Sequence, residues 1–259
     1  MRYFNIDQRE FITFLIFNND ESRNSLSIEM LREFSKILND INESDAKVLI
    51  IKGNKNSKVW CAGFNIQELS KPGIDPVPNN HPIEVLLRNL QKVKIPVIAM
   101  MEGSVWGGGC DIAFACDILI GTHQTTFAIT PAKIGVTYNT QGIMRVLNNV
   151  QPNIAKELFF SAKPIAAMRA YQLGILNHLV EVDELEQFTI ELAQQIASNS
   201  PLAISVIKRQ INMFLANKKL NTNNIKEINQ LRETAYNSKD YMEGMAAFKE
   251  KRKPKFNNE

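Results

Sequence analysis

The chain is poor in the residues that most often announce a reaction. It has three histidines and three cysteines in 259 residues. His81, His123 and His178 are scattered without metal-ligand spacing, so each reads as a surface or packing residue and no metal is expected. Cys61, Cys110 and Cys116 are odd in number and lie in apolar surroundings, which argues for buried, reduced thiols rather than a disulfide framework. No Gly-x-Ser-x-Gly elbow is present, which disfavours a serine hydrolase. Neither a Walker phosphate loop nor a Gly-x-Gly-x-x-Gly fingerprint appears. Long apolar runs are missing too. The richest region, Ile95 to Ile120, is broken by Glu102, Asp111 and Asp117, which excludes a membrane span there. The run Phe11 to Phe17 follows Asp7, Arg9 and Glu10 and has no small-residue cleavage site after it, so a signal peptide is not expected and the cytoplasm is the expected compartment. A formal net charge of +3 suits a small anionic ligand and gives no reason to expect nucleic acid.

What is present fits a globular chain, with 44% hydrophobic and 22% charged residues. Phe11 to Phe17 is aromatic and β-branched, as a strand should be. Leu31, Phe34, Ile37, Leu38 and Ile41 recur at helical spacing and predict a helix over 28–44. Val48 to Gly53 reads as a short strand buried on both faces. The proline-rich stretch 71–82 predicts a loop. A helix over 83–93, a strand over 96–101, a helix over 108–116 and a strand over 117–121 follow. Beyond Thr140 nearly everything reads as helix: 141–149, 153–161, 166–173, 183–198, 201–220, 225–237 and 241–253. A boundary near Asn199–Pro201 would divide an α/β core, 1–198, from a helical C-terminal module, 199–259. No internal repeat or low-complexity tract is visible, and a parallel α/β arrangement is the natural class.

Three segments can carry chemistry. In Trp60-Cys-Ala-Gly-Phe-Asn-Ile66 the Ala-Gly pair lets the backbone turn sharply and frees the Phe64 N–H to face a ligand. Alone, this reads first as an ordinary strand-to-helix loop. In Glu102-Gly-Ser-Val-Trp-Gly-Gly-Gly-Cys-Asp111 three glycines open a helix and expose N–H groups at its positive end. The bland alternative is a tight turn. In the segment from Thr126 to Asn139, Thr130 and Tyr138 punctuate an apolar stretch that is otherwise readable as core.

Taken together and in this order, the three segments resemble the crotonase (enoyl-CoA hydratase/isomerase) superfamily, as does the tail Glu243-Gly-Met-Ala-Ala-Phe-Lys-Glu-Lys-Arg-Lys-Pro-Lys-Phe256. Within it, Glu102 to Gly108, Thr130-Pro131 with Gly135 to Asn139, Gly174 to His178 and Pro201 to Lys208 are similar to the methylmalonyl-CoA decarboxylase group. The resemblance implies a crotonase (ClpP-like) spiral of ββα turns with a helical C-terminal module, assembled as a homotrimer or a homohexamer built as a dimer of trimers. It implies an acyl-CoA substrate whose thioester oxygen meets the backbone N–H groups of Phe64 and Gly108. Ala62, Gly63, Phe64, Asn65 and Ile66 would hold the coenzyme by main chain, with Lys251 and Arg23 at its phosphates. Tyr138 and Thr130 take the places of the decarboxylase group's tyrosine and threonine.

The resemblance also separates reactions. Hydratases of this kind use two glutamates. The first falls on Asp111, one methylene shorter, and the second falls in Ile129-Thr130-Pro131, which has no acid. Water addition therefore lacks its acid–base pair. A substrate bringing its own carboxylate would gain from that loss, because like charges about 4 Å apart repel by roughly 4 kcal/mol at a dielectric near 20. A neutral phenol, reference pKa about 10, can instead donate to such a carboxylate. The expectation is decarboxylation of a malonyl- or methylmalonyl-type thioester, with no prosthetic group and coenzyme A only as part of the substrate. Two alternatives stand beside it: a hydratase or isomerase using Asp111, and a non-catalytic acyl-CoA-binding protein. Two positions depart from the pattern. Phe64 stands where the decarboxylase group has histidine, and Asn65 where the family usually has aspartate.

Overall fold

The fold follows from three short strands, buried on both faces, that alternate with helices. A computed structural model describes residues 1–55, 57–69, 74–216, 226, 229, 230, 233, 234 and 236–255. Strands β1 (Phe4–Arg9) and β2 (Ile12–Phe17) form an antiparallel hairpin, and β3 (Val48–Lys52), β5 (Val97–Met101), β7 (Ile118–Thr122) and β10 (His178–Val180) continue one sheet in parallel. The order is β1-β2-β3-β5-β7-β10. A smaller sheet takes β4 (Val59–Cys61), β6 (Ser104–Trp106), β8 (Thr126–Ala128) and β9 (Ile165–Ala166), parallel except for its last pair. Each turn of chain thus lays one strand in the large sheet, the next in the small one, and then a helix. β3 and β4 lead to α2 (Pro82–Lys92), β5 and β6 to α3 (Gly108–Ala115), and β7 and β8 to α4 (Thr140–Asn149).

Two apolar layers explain why β3 reads as a continuous hydrophobic run. Leu49 and Ile51 enter the main core with α1 (Ile28–Asn42), α2 and α3, while Val48 and Ile50 pack on the other face with Leu185 and Ala193 of α7 (Leu185–Ala197). Such double burial is usual for parallel strands. Further helices are α5 (Pro152–Ser161), α6 (Ala167–Gln172), α8 (Pro201–Ala216) and α9 (Lys239–Lys249). Lys208 ties α8 to the body through Asp117 Oδ2 at 2.7 Å and the Ile95 carbonyl at 2.9 Å.

The predicted strands and helices fall where the structure has them, mostly within two residues at their ends. One expectation needs correction: the chain after Thr140 is not all helix, because β9 and β10 lie in it. Strands of two and three residues show no period, and β10 is half-buried along its length. β1 was also invisible. It is an edge strand whose residues are mostly exposed, so polar Asn5, Asp7 and Gln8 interrupt its pattern. Most of the helix expected over 225–237, the end of that over 201–220, residues 71–73 of the loop and Phe256 of the tail lie outside the described residues.

Candidate active site

The end of β4 turns because Gly63 adopts φ +85°, and a Cβ there would meet the Trp106 carbonyl at 2.5 Å. Residues 62–65 are laced to 23–26: Ala62 N–H donates to Arg23 O (3.0 Å), Leu26 N–H to Gly63 O (2.8 Å) and Asn65 N–H to Leu26 O (3.0 Å). Those bonds leave the Phe64 N–H on the opposite side of the turn, where no backbone carbonyl of the described residues accepts it. At the end of β6, Gly107 has φ 48° and ψ −116°, a conformation closed to ordinary side chains. Its amide donates to Ala128 O (2.8 Å), and α3 begins at the next residue. Gly108 N–H, in the first turn of that helix, also lacks a backbone acceptor among the described residues.

The two free amides are neighbours. A Cβ on Gly108 would sit 3.2 Å from Phe64 N and 2.9 Å from Ile83 Cδ1; a Cβ on Gly63 would sit 3.1 Å from Gly108 N. Gly109 has a different reason, since a Cβ there would meet Cys61 O and Cβ at 2.9 Å. The glycine run therefore supplies one strained turn, at Gly107, and two close approaches, at Gly108 and Gly109. Sequence alone shows only the run.

Asp111 projects from α3 into a buried polar cluster. Tyr138 O–H donates to Asp111 Oδ2, and Arg145 Nε lies 3.3 Å from Asp111 Oδ1. That second contact is an ion pair without hydrogen-bond alignment, since neither atom has a hydrogen-bond partner among the described residues. Arg145 Nη2 reaches both oxygens of Glu84, at 3.1 and 3.2 Å, and Asn139 Nδ2 donates to Glu84 Oε1 at 2.8 Å. Glu84, Asp111 and Arg145 are 2%, 7% and 6% exposed, so one guanidinium serves two buried carboxyls. Burial, which outweighs the help of Arg145 and Tyr138, pushes the Asp111 carboxyl up to about 6. Burial, with the Asp111 charge beside it, holds the Tyr138 phenol well above its ordinary value, so it stays a neutral donor. Gly142 makes room for the phenol ring, for a Cβ there would run into Tyr138 Cε1.

Sequence reasoning singled out Asp111 and Tyr138 but missed Arg145, Glu84, Asn139 and Gly142. The available signal was a charge on an apolar helical face: Glu84 among Ile83, Leu86, Leu87 and Leu90, and Arg145 beside Val146. Thr130 is half-buried at the head of the one-turn helix Pro131–Ile134, and its hydroxyl has no hydrogen-bond partner among the described residues. Asn65 caps the turn Ile66–Glu68, accepting from Gln67 N–H (3.1 Å) and donating to Glu68 Oε1 (3.1 Å). Aspartate could not make that donation. Arg23 is exposed beside the 62–65 turn. Lys251 is exposed just past α9, in a left-handed conformation, and no ion pair engages it among the described residues.

His81 lies nearer this site than expected. Its ring stands edge-on to Phe64, with centroids 5.0 Å apart at 83°, and its Nδ1 accepts the Ile83 N–H that opens α2. The three thiols are buried and unpaired, and burial pushes Cys61 up to about 12. Among the described residues, no group of His, Cys, Asp and Glu is placed to hold a metal, and no helix is long and apolar enough to cross a membrane.

Residues 7–259 match the enoyl-CoA hydratase/isomerase family. Methylmalonyl-CoA decarboxylase of Escherichia coli (strain K12) is 39% identical over 255 residues, covering 98% of each chain. A short-chain-enoyl-CoA hydratase of Clostridium acetobutylicum is 32% identical over 238 residues, covering 91% of this chain and 90% of that one. Among solved structures, methylmalonyl CoA decarboxylase complexed with 2S-carboxypropyl CoA superimposes with a TM-score of 0.98 at 38% identity, covering 100% of this chain and 99% of that chain. An enoyl-CoA hydratase from Bacillus anthracis gives 0.75 at 27% identity, covering 99% and 100%.

Proposed function

The chain belongs to the enoyl-CoA hydratase/isomerase family, and from that premise we propose that it decarboxylates a malonyl- or methylmalonyl-type 2-carboxyacyl-CoA thioester. The observation that carries this reading is the state of Asp111. It is the acid that a water-adding enzyme would use, and both its oxygens already face Tyr138 and Arg145. No second acid stands in Ile129-Thr130-Pro131 to share the work. A decarboxylation needs neither. The bond from C2 to the carboxylate breaks, and its electron pair moves into the thioester as an enolate. The negative oxygen collects between the Phe64 and Gly108 N–H groups, and CO2 departs. A proton then replaces the carboxylate at C2. Asp111, with its carboxyl pushed up to about 6, is an acid on this side of the pocket that can return it. No prosthetic group enters, because the thioester itself takes the electrons.

Tyr138 and Thr130 hold the departing carboxylate in this reading. Tyr138 has one proton and Asp111 already accepts it. Donation to a substrate therefore competes with donation to Asp111 and gains when Asp111 is protonated. The main chain of 62–66 holds the coenzyme, and Lys251 and Arg23 meet its phosphates. The same reading makes the protein a cytoplasmic trimer or dimer of trimers. Exposed apolar residues on α5 and α8, with Phe160, Leu202 and Phe214 at 79%, 74% and 77%, support an assembled state.

The deciding experiment offers malonyl-CoA, methylmalonyl-CoA and crotonyl-CoA to the purified protein. Release of CO2 from either of the first two, with little hydration of the third, is the expected result. Rapid hydration without CO2 would replace this reading with the hydratase. Tight binding of acyl-CoA without turnover of any would replace it with a binding protein.

A further inference from the structure

His81 stands beside Phe64, and both its backbone and its ring are held in place. Its N–H donates to Pro78 O at 2.8 Å, its carbonyl accepts Val85 N–H at 3.0 Å, and its Nδ1 accepts Ile83 N–H at 3.3 Å. On one side, the ring contacts Phe64, and the side chain of Ile83 lies over the Gly108 Cα. On the other, the same stretch of chain touches the neighbour of Tyr138, because Asn139 Nδ2 donates to Val77 O (3.3 Å) and Glu84 Oε1 (2.8 Å). An imidazole whose Nδ1 accepts an N–H carries its proton on Nε2 when neutral. That Nε2–H has no hydrogen-bond partner among the described residues. Burial keeps the ring below its ordinary value, in favour of the neutral form.

We propose that His81 contacts substrate: its Nε2–H donates a hydrogen bond to the carboxylate of the 2-carboxyacyl group. The proposal rests on the decarboxylase reading and adds a residue to it. The acids near the ring have other partners. Glu84 faces Arg145 and Asn139, Glu68 accepts Ile28 N–H (2.8 Å) and Asn65, and Asp75 accepts Val77 N–H (3.0 Å). A neutral donor that is already immobilised meets an incoming carboxylate without reorganising. It also favours a 2-carboxylated thioester over its decarboxylated product, because the product has nothing to accept the bond.

Two substitutions separate this role from the helix cap. Asparagine and aspartate are both strong N-caps, so His81→Asn and His81→Asp can each still receive the Ile83 N–H. Neither can place a donor where Nε2 is. The full-length variants are assayed for CO2 release from methylmalonyl-CoA, for binding of propionyl-CoA, and for thermal midpoint. His81→Asn is expected to lose turnover roughly 10- to 100-fold, the range for a hydrogen bond to a charged group, and His81→Asp to lose more, because it turns a carboxylate toward a carboxylate. Propionyl-CoA affinity should stay within about threefold of wild type, as one contact absent from that ligand cannot weaken it. Unchanged turnover in His81→Asn, equal turnover in the two variants, or parallel losses in turnover and propionyl-CoA binding would each overturn the contact while leaving the decarboxylase intact. A wild-type protein that releases no CO2 would overturn both.

Discussion

Residues 62–65 and 107–109 present main-chain N–H groups, whereas Asp111, Tyr138, Arg145 and Glu84 present side chains. The first wall is made by turns: Gly63 and Gly107 take backbone conformations that ordinary residues avoid, and the amides of Phe64 and Gly108 are left over as donors. They are neutral, cannot titrate, and are fixed before a substrate arrives. The second wall is a balance of charges removed from water. Its members depend on one another, and its Asp111 titrates near 6. The comparison teaches that charge can be accepted by one wall without regard to pH, while the proton inventory belongs to the other. Substitutions should therefore fail differently on the two sides.

The largest effect on rate is expected at Gly108. In Gly108→Ala the new methyl lies 2.9 Å from the mobile end of Ile83 and 3.2 Å from Phe64 N, in the space between the amides. Ile83 can yield and alanine suits a helix, so the thermal midpoint should move by only a few degrees. Turnover should fall about 10³-fold, the upper range for losing an oxyanion donor. CO2 release and a melting curve on the same sample test this. Turnover within tenfold of wild type would mean that the charge gathers elsewhere.

Arg145→Met should show the opposite balance, a large loss of stability. It leaves Asp111 and Glu84 buried without their cation, and breaking such a cluster costs about 3–5 kcal/mol. The pH dependence has a definite sign. Without the guanidinium the Asp111 carboxyl, already raised by burial, binds its proton still more readily in the folded state than in the unfolded one. The folded chain is then least penalised below the unfolded value near 4 and loses stability as pH rises through the raised folded value. Urea unfolding at pH 5 and pH 8 should therefore find the variant closest to wild type at pH 5. An equal deficit at both would show that lost packing, not charge, is the cause.

These two sites also mark what could be read in advance. Gly107 to Gly109 is contiguous and, in order with Ala62-Gly63, carries the family resemblance, and it is through that resemblance that the two amides were paired. The Glu84–Arg145 pair spans 61 residues and joins two helices. Each charge interrupts an apolar face in its own helix, and nothing local says that they meet. The same holds for the sheets. β3 announces itself because it is buried on both faces, whereas the three-residue strands of the small sheet are too short to show a period. The repeated ββα turn is made by unlike sequences, and no internal repeat betrays it. His81 reads as a surface or packing residue because the three histidines lack metal-ligand spacing, and a lone histidine before a proline says nothing about the ring it will face.

A smaller effect, at Tyr138, links the walls through pH. The phenol has one proton to give. Below about pH 6 the Asp111 carboxyl is protonated and can itself donate to the phenol oxygen, which frees the phenol proton for substrate. Wild-type kcat for CO2 release should therefore rise as pH falls from 8 to 6. Tyr138→Phe should lose about 10- to 100-fold in kcat, keep its affinity for the coenzyme portion, and lose that rise. A variant that is slow but keeps the wild-type pH profile would assign the titration to another group and uncouple the two walls.

The smallest effect, and the sharpest on the comparison, is expected from Phe64→Leu. The substitution removes a ring that touches His81 but keeps the N–H at position 64, because the turn is fixed by Gly63 and by the bonds of Leu26 and Asn65. If the amide is what matters, kcat should fall by about threefold, in line with the modest value of a single aromatic contact. A hundredfold fall with an unchanged melting temperature would move position 64 from the main-chain wall to the side-chain wall. The claim that the fold supplies that wall whatever residue follows Gly63 would then fail, since the same backbone would be present and the activity would not.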